Sequence, residues 1–174
     1  MLVRWADQTL IRALTATAFA LLIPFTSGAH ESHSGQVSTA VRVLSRAEPT
    51  GLQWRYSQHL DVNCDGSRDE VFTATTKERF YIAVVLGPVS NRSGHSIVAF
   101  GLTGDSQDSF CGEFESLKPE PLATSQELIE MVGEEPVGYH HSENCKGLRV
   151  LAGECDSFHL FWNQATSGLD WWRL

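Results

Sequence analysis

Apolar and polar side chains alternate through LQWRYSQHL, residues 52–60, so that Leu52, Trp54 and Tyr56 share one face. That is the period of a half-buried strand. EVFTAT (70–75) and FYIAVVLGP (80–88) predict two more strands, the second apolar enough to sit centrally in a sheet. NRSGHS reads as a turn before a strand in SIVAFGLT. GLRVL and SFHLFW predict a hairpin about Ala152-Gly153, and DWWRL predicts a closing strand. The stretch from Gly104 to Pro121 reads as loop. Helical signals are fewer. Val37, Val41 and Leu44 recur at helical spacing over 37–46, although three valines in that stretch also suit a strand, and Pro49 and Gly51 end it. Thr124 and Glu127 have the spacing of a capping box ahead of Leu128, Ile129 and Val132, with Gly133 as the stop. The expectation is a mainly β domain: an antiparallel meander, sandwich or small barrel with one or two short helices.

The first 29 residues change that picture only by standing outside it. Arg4 and Arg12 precede ALTATAFALLIPF, an uncharged apolar run too short to span a bilayer, and Ser27 and Ala29 stand at small-residue cleavage positions. The organisation expected is therefore a signal peptide over 1–29, a polar segment with a short helix over 30–50, and a single β-rich domain over 51–174. The location expected is periplasmic or secreted. Without Arg4, Arg12 and Asp7, the formal net charge of −8 becomes −9. With no basic stretch, this acidity disfavours a nucleic-acid partner and suits cations or a basic protein surface.

Behind an export signal, an even cysteine count points to disulfides. Cys64, Cys111, Cys145 and Cys155 allow three pairings, of which Cys64 with Cys111 and Cys145 with Cys155 is the expectation. No CxxC pair supports a zinc site on these thiols.

The most specific motif is DVNCDGSRDEVF, residues 61–72. Asp61, Asn63, Asp65 and Asp69 fall at alternating positions of a tight curl, and Gly66 supplies the positive φ it needs. Ser67 would add its carbonyl. Hard oxygen donors at this spacing point to calcium. Phe72 stands where an EF-hand has its closing Glu, and strand periodicity flanks both sides. The motif resembles the shorter strand-loop-strand calcium loops of FG-GAP-type secreted domains, a resemblance confined to Asp61–Asp69 that implies a structural calcium site and no overall fold. Glu70 is equally placed to join the ligands or to face solvent. The competing reading is an Asx-rich turn without metal.

Other chemistry is thinner. His30, as a new N-terminus, with His33 nearby could chelate copper as in copper-dependent polysaccharide oxygenases. His59, His140, His141 and His159 fit no zinc signature. Glu127, Glu130, Glu134 and Glu135 could supply a carboxylate pair for a hydrolase, although helix carboxylates ordinarily serve solvation. Trp171 and Trp172 must point to opposite faces of a strand, so one is free to cover an edge or anchor a partner. SGHSI, Ser93–Ile97, resembles the Ser-Gly-x-x-Tyr loop of periplasmic lysozyme inhibitors, with Ile97 at the tyrosine position. That resemblance implies a basic hydrolase partner. The function expected is non-catalytic binding in the cell envelope or outside the cell; the rival is a secreted enzyme, copper-dependent or carboxylate-based.

Overall fold

The alternating segments fold into two antiparallel four-stranded sheets. The computed structural model describes residues 32–102, 106–154 and 156–174; the signal segment, His30, Gly104 and Cys155 lie outside them. Helix α1 (His33–Leu44) is followed by β1 (Arg55–Leu60), β2 (Asp69–Thr75), β3 (Arg79–Val85) and β4 (His95–Gly101), paired in that order as the first sheet. The second sheet pairs β5 (Phe114–Pro121), β6 (Lys146–Ala152), β7 (Phe158–Asn163) and β8 (Gly168–Trp172), with helix α2 (Ser125–Val132) in the β5–β6 connection. Both are meanders, as hairpin-linked antiparallel strands favour. Among the described residues no helix is long and apolar enough to cross a membrane.

The period-2 rule shows how the sheets stack. Along β3, Phe80, Ile82 and Val84 enter a core shared with Leu148, Val150, Phe158 and Leu160 of the second sheet. Ala83 and Val85, on the other face, pack with Phe72 against Ala40, Val43 and Leu44 of α1. β3 is therefore covered on both sides, as its continuous apolar run requires. Burying a side chain such as Phe72 or Phe100 stabilises by roughly 1.5–3 kcal/mol. On the outer face of the second sheet, Leu122, Cys145 and Phe161 form a smaller cluster with Tyr139 and Trp172.

Three expectations need correction. The stretch read as loop between Gly104 and Pro121 contains β5, an edge strand carrying Pro119 and Pro121; proline is tolerated at an edge, where its missing N–H disrupts no ladder. Helix α1 begins at His33, inside the stretch read as a polar lead-in. Cys64 pairs with Cys145 and not with Cys111. Packing of the two sheets brings the loop before β2 against the start of β6, so spatial neighbourhood overrides sequence distance. This is the single disulfide seen among the described residues; Cys111 is not a free thiol.

Candidate functional site

The Asp-rich loop between β1 and β2 is wound on its own side chains. Asp61 accepts backbone N–H groups from Cys64 at 2.8 Å and Gly66 at 2.9 Å. Asn63 Oδ1 accepts from Asp65 N, and Asp65 Oδ1 accepts from Ser67 N. The Asn63 amide and the Ser67 N–H hold the Asp65 carboxyl below its usual range. Asp69 behaves differently. It is fully buried, and its two oxygens take N–H groups from Val62, Asn63 and Gly87. Burial raises its pKa despite those donors. Gly66 has φ +85°, as expected for such a curl. The loop is fastened to the second sheet by the Cys64–Cys145 bridge, by Lys146 N–H donating to the Asp61 carbonyl at 3.0 Å, and by Gln164 donating to the Asn63 carbonyl at 3.1 Å.

The three loop carboxylates do not converge on a common point. Among the described residues, the group of at least three His, Cys, Asp or Glu side chains whose ligand atoms all lie within 4.8 Å of one another is His33, His59 and Glu70. Its origin is sheet register. His59 of β1 and Glu70 of β2 are direct partners across the ladder, and Glu70 shares its face with Phe72, the face covered by α1. His33, the first residue of that helix, lies over the pair. Glu70 therefore does not face solvent; its side chain is 0% exposed. His33 Nδ1 and His59 Nδ1 approach Glu70 Oε1 at 3.4 and 3.2 Å, yet both Glu70 oxygens and His59 Nδ1 lack any hydrogen-bond partner. Burial raises the Glu70 pKa, against the pull of the His59 and His33 imidazoles. Burial, and then the Glu70 charge, raise that of Tyr56, whose ring meets His33 edge-on.

A third constellation lies across the molecule. Glu120 of β5 reaches His159 Nδ1 of β7 at 2.9 Å, and the imidazole stacks on Trp172 at 4.0 Å. Between them runs β6 with Gly147, opposite Glu120 in the ladder, where a Cβ would meet the Leu160 carbonyl oxygen at 2.7 Å. The absent side chain leaves room for the pair to meet. Glu120 and His159 line a cavity of about 140 Å³ with Met131, Tyr139, Phe161 and Trp172. Tyr139 donates to the Ala123 carbonyl, and burial drives its pKa far upward. The carboxylate orients an imidazole, an arrangement suited to accepting a proton. Nothing in the sequence pointed to it, because Glu120 lies in the strand read as loop.

Helix α2 flanks this cavity. Its capping box is formed, with Thr124 accepting from Glu127 N and the Glu127 carboxylate accepting from Thr124 N at 2.7 Å. That bond holds the Glu127 pKa low, the direction opposite to a general acid's need. Glu130 accepts from Gln126 and Glu135 from Ser125. Only Leu128 of this helix is buried; Ile129 and Met131 are 46% and 43% exposed. Met131, Leu122, Pro121 and Ala123 line an open groove of about 410 Å³ edged by Glu127 and Glu130.

The remaining sequence candidates are dispersed. Ser93 and Gly94 lie in the turn before β4, but Ile97, at the lysozyme-inhibitor tyrosine position, packs against the α1 cluster. His141 contacts the Leu122 and Ala123 carbonyls. The architecture is that of two packed four-stranded meanders, each with one helix on its outer face. Comparison with family models, curated proteins and solved structures gave no match.

Proposed function

We propose that this chain is an exported, non-catalytic binding domain whose α2 face docks a basic protein surface in the cell envelope or outside the cell. The observation that supports it is an uncompensated negative end beside exposed apolar side chains. Between Lys118 and Lys146 the chain holds six glutamates and no lysine or arginine. The last turn of α2 carries no basic residue, although the helix dipole is negative there. Glu130, Glu134 and Glu135 add charge of the same sign. Cations from a partner would satisfy both, while Met131 and Ile129 supply apolar contact. A basic cell-wall hydrolase has this chemistry.

The double charge reversal Glu130→Lys/Glu134→Lys is expected to weaken such a complex by tenfold or more. Wild type should retain a basic protein from envelope extract at low salt, lose it at high salt, and fail to retain it in the variant. Identical captures by both proteins would end the reading. Lysozyme activity that does not fall at excess protein would remove lysozyme from the partners.

Within this reading a structural calcium ion draws on Asp61, Asn63, Asp65 and Ser67, while Asp69 fixes the loop backbone from below. Calcium should raise the melting temperature of wild type and leave that of Asp65→Ala unmoved. Equal melting of wild type in calcium and in chelator would exclude the ion.

A further inference from the structure

We propose that His33, His59 and Glu70 form a binding site for a divalent transition-metal ion of the zinc type, between α1 and the outer face of the first sheet. The first argument is an unmet electrostatic need. An ionised carboxylate without a partner is expensive to bury, by several kcal/mol even after relaxation, and natural folds leave few such groups. Glu70 is wholly buried, and neither oxygen has a hydrogen-bond partner. The two imidazoles come close enough to bond but are not aligned to do so. A cation between the three groups would satisfy all of them.

The second argument is spacing. Ligand atoms held about 2.0–2.1 Å from a tetrahedral ion lie roughly 3.4 Å from one another. His33 and His59 Nδ1 stand 3.4 and 3.2 Å from Glu70 Oε1. The third is donor chemistry. Two imidazole nitrogens and one carboxylate suit zinc and its neighbours in the first transition row, whereas calcium and magnesium ask for an oxygen shell. The site is thus chemically distinct from the Asp-rich loop, and its three protein donors leave a fourth position for water or an incoming ligand. His33, half-exposed, is the side from which an ion would enter.

The cluster also links the start of α1 to the two strands beneath it. Two donors are fixed by the β1–β2 ladder, and the third belongs to the first turn of α1, whose cap residue Ser32 makes no side-chain cap bond. Metal would fasten the helix end to the sheet.

The test is titration of the chelator-treated protein with Zn²⁺ alone, with visible absorption of Co²⁺ as a second readout. One ion per chain is expected in wild type. Glu70→Gln and His59→Ala should weaken binding at least roughly tenfold, and Asp65→Ala should leave it unchanged. His33→Ala alters a half-exposed side chain at a helix end and keeps the test valid should either buried variant fail to fold; it too should lose affinity and the Co²⁺ spectrum. No stoichiometric Zn²⁺ in wild type would overturn the proposal. So would wild-type affinity in folded Glu70→Gln, His59→Ala or His33→Ala.

Discussion

Replacing Cys64 and Cys145 together by alanine is expected to lower stability by about 2–5 kcal/mol. The bridge spans 81 residues, and loop-closure entropy for a span of that length comes to roughly 4–5 kcal/mol, acting through the unfolded chain. In the folded state it ties the loop between β1 and β2 of one sheet to the start of β6 in the other. Two hydrogen bonds, Lys146 to Asp61 and Gln164 to Asn63, remain across the same junction, so the variant should fold and melt on the order of 10 °C lower. Circular dichroism melts of the two proteins under non-reducing conditions measure the difference. Peptide mapping of the oxidised wild type should recover the Cys64–Cys145 link. A melting temperature unchanged by the double substitution would show that the junction holds without its covalent tie.

What the sequence made legible follows from how many faces each segment buries. FYIAVVLGP announced a central strand because both of its faces are covered, one by the second sheet and one by α1. Thr124, Glu127 and Gly133 marked α2 because capping is local chemistry. FESLKPEP was invisible: an edge strand needs only one hydrogen-bonded side, so it tolerates charge and proline that mask the pattern. The cysteine pairing was invisible for another reason. It depends on how two meanders stack, and no local rule encodes that.

The metal cluster was hidden likewise. Glu70 looked like a residue free to face solvent, because strand alternation says which residues share a face and not what covers that face. Only the docking of α1 through Ala40, Val43 and Leu44 buries it and brings His33 above it. The Asp-rich loop shows the opposite case. Its curl was readable residue by residue, yet one of the three N–H groups on buried Asp69 comes from Gly87, in the loop after β3.

Glu70→Gln should give the second large effect, one whose sign depends on metal. In chelator at neutral pH the variant is expected to be more stable than wild type by roughly 1–3 kcal/mol, because an amide avoids the desolvation of a buried carboxylate. The pH dependence follows from the same cause. Burial raises the Glu70 pKa in the folded state, so the wild-type contribution is fully present below the unfolded carboxyl pKa and is lost as pH rises through the folded one. The advantage of the variant should thus be smallest in acid and should widen toward neutrality, with His33, His59 and Tyr56 the groups that face the carboxyl. Saturating Zn²⁺ should reverse the order. At a free concentration about 1,000 times its Kd, an ion that binds only the folded wild type adds about 4.1 kcal/mol, whereas the variant gains little. Melts with and without Zn²⁺ would then cross. If Glu70→Gln is the less stable protein in chelator as well, and Zn²⁺ moves neither, the carboxylate serves only the packing between α1 and the first sheet.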